Sequence, residues 1–104
     1  MVEQVKTIEE FDEVLNNNKS VFVDFFATWC GPCKMVGPVV EKVSESVSDV
    51  KFIKVDVDEV GEAAQRYGIM SIPAMFVFRD GAKVGEQVGF APEGTVKALA
   101  ESAR

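Results

Sequence analysis

The segment Val21-Phe22-Val23-Asp24-Phe25-Phe26, apolar but for Asp24, constrains this chain more than any other. A strand of that composition needs cover on both faces, the condition of a central strand in a sheet flanked by helices. Directly after it comes Trp29-Cys30-Gly31-Pro32-Cys33, which contains every cysteine of the chain. Pro32 suits the first turn of a helix, so the cysteines are predicted at a strand-to-helix junction. Residues i and i+3 of a helix lie roughly 5–6 Å apart, a separation that disulfide geometry accepts. The pair can therefore close and reopen a disulfide. A purely structural pair, or half of a metal site, is the competing reading.

The remaining pattern reads as β-α-β-α-β-α-β-β-α. A short strand over Val2–Lys6 precedes a helix begun at Thr7, where Glu10 completes a capping-box pattern and Ile8, Phe11, Val14 and Leu15 form the buried stripe. Asn16-Asn17-Asn18 ends that helix. A second helix is predicted from Pro32 to about Ser46, with Met35, Val36, Val39, Val40, Val43 and Val47 facing inward. Val50–Val57 is β-rich, and Asp58 is the expected N-cap of a helix that ends near Tyr67, with Gly68 as its stop. Met75–Phe78 and Lys83–Val88 flank Asp80-Gly81, a hairpin signal. Pro92 starts a last helix carrying Val96 and Leu99. Such alternation predicts an α/β fold, with a central mixed five-stranded sheet flanked by four helices on both faces.

The 104 residues suffice for one compact domain, expected to span positions 1–104. A net charge of -6 argues against nucleic acid and anionic membrane surfaces as partners. No apolar run approaches the ~20 residues of a spanning helix. Met1–Val5 lacks the basic and apolar segments of a secretory signal, and a lone cysteine pair suits a reducing interior, so a cytoplasmic setting is expected. With no histidine in the chain, Ser-His-Asp and Cys-His catalysis and imidazole-bound zinc are excluded. No metal site is expected. The acidic residues Asp56, Asp58, Glu59 and Glu62 read as a solvated surface.

Cys30, at the amino end of the second helix, is placed where free N–H groups and the helix dipole favour a thiolate. It is expected to attack, with Cys33 one turn further in as the resolving thiol. Asp24 shares a strand face with Phe22 and Phe26, so burial should raise its pKa and suit it to take a proton from Cys33. A strand-end aspartate that merely reaches water is the simpler alternative. Lys54, mid-strand in Phe52-Ile53-Lys54-Val55, either offsets the Asp24 charge or snorkels to solvent. Trp29 is expected to be partly exposed beside the thiols, and Pro73 marks a turn before a strand.

These blocks together resemble the thioredoxin family over essentially the whole chain. Val23–Lys34 is similar to its active-site block, Phe52–Asp58 to its third strand, and Tyr67–Pro73 to the approach to its cis-proline loop. The resemblance implies a protein-disulfide reductase with no bound cofactor beyond a redox-active Cys30–Cys33 disulfide. It implies recharging by thioredoxin reductase, with NADPH as the ultimate electron source, and targets such as peroxiredoxins or ribonucleotide reductase. It also implies a cis Ile72–Pro73 bond facing the cysteines, and Gly31 and Pro32 as the active-site spacer. Trp29, Ile72, Pro73, Val88, Gly89 and Phe90 are implied as a flat apolar docking surface, and Pro38 as a kink within the second helix.

Some positions depart from the commonest family pattern. Phe26 stands where many members have a second tryptophan, Ala74 where threonine is common, and Phe90 is bulkier than the usual small residue, which would shift partner choice. Two other functions compete with reduction. An oxidase or isomerase on the same fold is disfavoured because the Gly-Pro spacer lacks the histidine that oxidising members often carry. A binding module would use the docking surface and not the thiols, and would survive replacement of both cysteines.

Overall fold

The computed structural model describes residues 1–104. Its strands are β1 (Glu3–Val5), β2 (Ser20–Phe26), β3 (Lys51–Asp56), β4 (Ala74–Arg79) and β5 (Ala82–Val88). Its helices are α1 (Ile8–Asn17), α2 (Gly31–Ser46), α3 (Gly61–Arg66) and α4 (Glu93–Glu101). The sheet order is β1-β3-β2-β4-β5. β2 pairs with β3 in parallel and with β4 antiparallel, so the sheet is mixed and its central strand is the apolar run.

Alternation along β2 divides the core. Val21, Val23 and Phe25 join Phe11 and Leu15 of α1 and Ala63 of α3 on one face. Phe22 points to the other face, where Val36, Val40 and Val43 of α2 and Val96 and Ala100 of α4 cover it. Because Phe22 and Phe52 sit opposite each other in register, their rings stack 4.9 Å apart. Phe11 is fully buried and meets Phe25, Phe78 and Tyr67 at centroid distances of 6.1 to 6.4 Å.

Local chemistry sets the element ends. The Glu10 N–H donates to Thr7 Oγ1 at 3.1 Å, while the Glu10 carboxylate accepts from the Lys6 N–H at 2.9 Å. The capping box therefore closes one residue further back than its usual N-cap partner. The β4–β5 hairpin turns through Asp80 and Gly81 at φ 53° and 82°, the two left-handed residues a type I′ turn requires. Gly68, at φ 61°, follows the last turn of α3. α2 runs unbroken across Pro38.

Two local expectations fail. Met35 is 63% exposed and not inward, because it lies one residue, about 100° of helix, off the Val36–Val40–Val43 stripe. Asp58 does not cap α3, which starts at Gly61 with Val60 as N-cap and no side-chain cap. The turn ahead of it is tied instead by Asp56, whose Oδ1 accepts from the Asp58 N–H at 2.9 Å.

Since Phe11 is the hub of its face, Phe11→Ala should destabilise the protein by roughly 3–5 kcal/mol. Urea unfolding followed by circular dichroism measures this directly.

Candidate active site

Strand direction, more than local sequence, assembles this site. In β2 the residues run toward Phe26, which pairs with Asp56 at the end of parallel β3. Antiparallel β4 begins at Ala74 opposite Phe25, and β5 ends at Val88 opposite Ala74. The end of β2, the end of β3, the start of β4 and the end of β5 therefore meet at one edge of the sheet. The loops bearing Cys30, Asp58, Pro73 and Phe90 all issue there.

Cys30 is the N-cap of α2. Its Sγ accepts from the Cys33 N–H at 3.2 Å, one of the amide donors a helix leaves free at its start. The same donor would stabilise a Cys30 thiolate after reduction. The two cysteines form a disulfide with a Cα–Cα distance of 5.3 Å. Both are buried, packed with Ala27 and against Phe26, Val57 and Ile72. The Ile72–Pro73 bond is cis, and the Ile72 carbonyl oxygen lies 3.8 Å from Cys30 Sγ. That contact becomes a hydrogen bond only when Cys30 carries a proton. Gly89 ties the neighbouring loop down, donating its N–H to the Pro73 carbonyl at 2.8 Å.

Asp24 does not reach solvent in the manner of a strand-end aspartate: it is 4% exposed. Its Oδ1 is buried without a hydrogen-bond partner. Burial pushes its pKa up to about 6, opposed by the Lys54 charge. Lys54 sits opposite Asp24 in the β2–β3 register, yet no ion pair within 4 Å joins them. Its ammonium lies 5.8 Å from the centre of the Phe26 ring, half-exposed. Both readings of Lys54 thus hold in part, since it reaches toward water and still lends charge to Asp24. A cleft of about 340 Å³ is lined by Asp24, Lys54, Cys33 and Lys34, so the carboxylate and the inner cysteine open onto the same space.

Trp29 is 69% exposed, and its indole N–H donates to Asp58 Oδ2 at 2.8 Å. The carboxylate expected to cap α3 is thus taken up in holding the tryptophan. Nothing in the local sequence could have paired residues 29 apart. Of the implied docking residues, Trp29, Val88 and Phe90 are exposed, Ile72 and Gly89 are half-buried, and Pro73 is buried. Pro73 therefore contributes little exposed apolar surface. Met35, expected inward, and Met70, 96% exposed, add apolar surface that the sequence pattern did not place. The alternating pattern of a strand or helix gives no signal for residues such as Met70 in a loop.

The thioredoxin family model matches residues 2–102. The chain belongs to the thioredoxin family. Thioredoxin-1 of Saccharomyces cerevisiae is 45% identical over 103 residues, covering 99% of this chain and all of that protein. A thioredoxin structure from Plasmodium falciparum, 41% identical, matches with a TM-score of 0.92 and covers 99% of this chain and 100% of that one. The oxidised form of the Plasmodium falciparum protein in solution, 38% identical, matches with a TM-score of 0.90 over the full length of both chains. With the Cys30–Cys33 disulfide at its active edge, this thioredoxin is a thiol–disulfide oxidoreductase, a protein-disulfide reductase. Its redox group is its own cysteine pair, and its partners are a reductase and disulfide-containing proteins. No helix is long and apolar enough to cross a membrane.

The Asp24 environment makes stability depend on pH in a defined sense. The folded-state pKa of about 6 exceeds the ordinary carboxyl value of about 3.9. The folded state thus holds a proton that the unfolded state has released. Stability from this group is complete below about pH 4 and is lost as pH rises through about 6. Asp24→Asn should therefore gain roughly 2–3 kcal/mol over the parent protein at pH 7 and almost nothing at pH 4. Paired urea titrations at the two pH values give the difference.

Proposed function

We propose that this protein works as a cytoplasmic electron donor whose residues 1–104 act as one domain, with Cys30 as nucleophile and Cys33 as resolving thiol. The observation that carries the assignment is the placement of Cys30 as N-cap, where the Cys33 N–H already points at its sulfur. In the first step the Cys30 thiolate attacks a target disulfide. A Cys30–target bond forms, and the other target sulfur leaves as a thiolate. Asp24 then takes the proton of Cys33 through the shared cleft. The Cys33 thiolate attacks Cys30 Sγ, closing the intramolecular disulfide and releasing the second target sulfur. Two electrons have passed to the target. Thioredoxin reductase returns the pair to its dithiol form, drawing on NADPH.

Docking falls to the exposed apolar groups around the disulfide, Trp29, Val88 and Phe90, with Ile72 and Gly89 beside them and Pro73 beneath. Asp58 fixes Trp29 and so keeps this rim in place. Gly31 and Pro32 leave the approach to Cys30 open, since both are exposed and neither carries a polar side chain. Lys54 supports the charge that Asp24 cycles. Peroxiredoxins and ribonucleotide reductase are the target classes this reading favours, because both present disulfides that must be reduced every turnover.

A stalled intermediate tests the division of labour. Cys33→Ser should accumulate a covalent adduct through Cys30 with a disulfide target, visible as a reducible band on non-reducing gels; sustained turnover by that variant would refute the assignment. Phe90 contributes bulk to the rim, so Phe90→Ala should change reduction rates several-fold for some members of a panel of protein targets. Equal rates across the panel would remove Phe90 from the docking surface.

A further inference from the structure

Two clefts converge on Asp24, one after the other along the same face of α2. The first, of about 340 Å³, also exposes Cys33 and Lys34. The second, of about 290 Å³, lies toward Val2 and Glu41. Asp24, Lys54 and Gly37 line both. Gly37 is four residues beyond Cys33, so the two sit one above the other on the same face of the helix. A Cβ built at Gly37 would meet nothing within 4 Å, so a side chain there would enter open space at a position that lines both clefts. Glycine is, after proline, the poorest helix former, and it stands in the interior of a helix of 16 residues. Crowding ahead of Pro38 favours a small residue at position 37, but does not account for an opening above a buried carboxylate.

We infer that Gly37 is the aperture through which Asp24 exchanges its proton with solvent, a positioning residue that acts by having no side chain. Either cleft exceeds by several-fold the ~30 Å³ that one water occupies in the liquid. Both clefts are lined by Asp24, whose Oδ1 is itself buried and unpartnered, so water in them meets the edge of this residue without crossing the docking rim. The proton that Asp24 takes from Cys33 can thus leave while a target still covers the disulfide. This inference rests on the role of Asp24 in the proposed reaction. The charged and titratable groups around the carboxylate are Lys54 of β3 together with Lys34, Cys33 and Glu41 of α2. β4 contributes Met75, which does not titrate.

Filling the aperture tests it. Stopped-flow reduction of a protein disulfide is measured from pH 5 to 9, read by Trp29 fluorescence, for Gly37→Ala, Gly37→Leu, Asp24→Asn and the Gly37→Leu/Asp24→Asn double variant. Gly37→Leu should slow exchange about tenfold at pH 7, below the ~10²–10⁴ that general acid–base catalysis contributes. Its acid limb should move to higher pH, because excluding water disfavours the Asp24 carboxylate further. Gly37→Ala, which improves helix propensity, should fall between, so the test survives if the leucine variant fails to fold. In the Asp24→Asn background, Gly37→Leu should add no further slowing. Parent-like rates and pH profile in both Gly37 variants overturn the inference. So does equal slowing with and without Asp24, which would mark a docking or packing effect. If Asp24→Asn itself leaves the rate and profile unchanged, the role of Asp24 fails, and the aperture with it.

Discussion

The register of β2 between parallel β3 and antiparallel β4 is the constraint on which everything else here depends. A strand hydrogen-bonded on both edges and covered on both faces cannot slip by one residue without exchanging its two sets of side chains. Here a slip would drive Asp24 into the Phe11 face and expel Phe25 from it. The register also fixes which chain ends meet. Parallel pairing delivers the end of β3 beside the end of β2, and antiparallel pairing delivers the start of β4 to the same edge. The cysteine loop, the Asp58 turn and the cis-proline loop come from positions far apart in sequence, yet they become neighbours through that single arrangement.

The site keeps features that do not favour stability. A buried carboxylate oxygen without a partner carries a desolvation cost that a neutral isostere would avoid. A glycine interior to α2 gives up helix propensity. Both lie at the clefts beside Cys33, and both make sense if the site must move a proton and not merely pack. Such local violations concentrate where a protein does chemistry. The rest of the chain is consistent at every level: the stripe of α1 faces the edge-on and tilted rings of Phe25, Phe76 and Phe78, and the hairpin has the turn residues its geometry demands.

Much of the fold was legible because its signals are local. The Thr7–Glu10 cap, the Asp80-Gly81 turn and the two-sided apolar run of β2 each follow from residues within a few positions of one another. The cysteine pair and Asp24 were legible for the same reason, the first as a motif and the second as an anomaly inside a strand. Failures came where a tertiary partner outbid a local one. Asp58 has the composition of an N-cap, but its carboxylate found the Trp29 indole. Met35 belongs to an apolar-looking helix, yet the narrow Val36–Val40–Val43 stripe leaves it outside. Pro73, which the family resemblance put in the docking surface, is buried, with its carbonyl tied to the Gly89 N–H just past the end of β5.

The sequence by itself determined the alternation of elements, the redox-active pair and the presence of an ionisable group in the central strand, since periodicity, motif spacing and burial pattern act over short range. The tertiary structure alone decided that Cys30 faces the Ile72 carbonyl, that Trp29 is held by Asp58, and that Asp24, Lys54 and Cys33 share one cleft with Gly37 above it. Those relations depend on strand direction and register across the sheet, which join residues tens of positions apart and leave no trace in any local window.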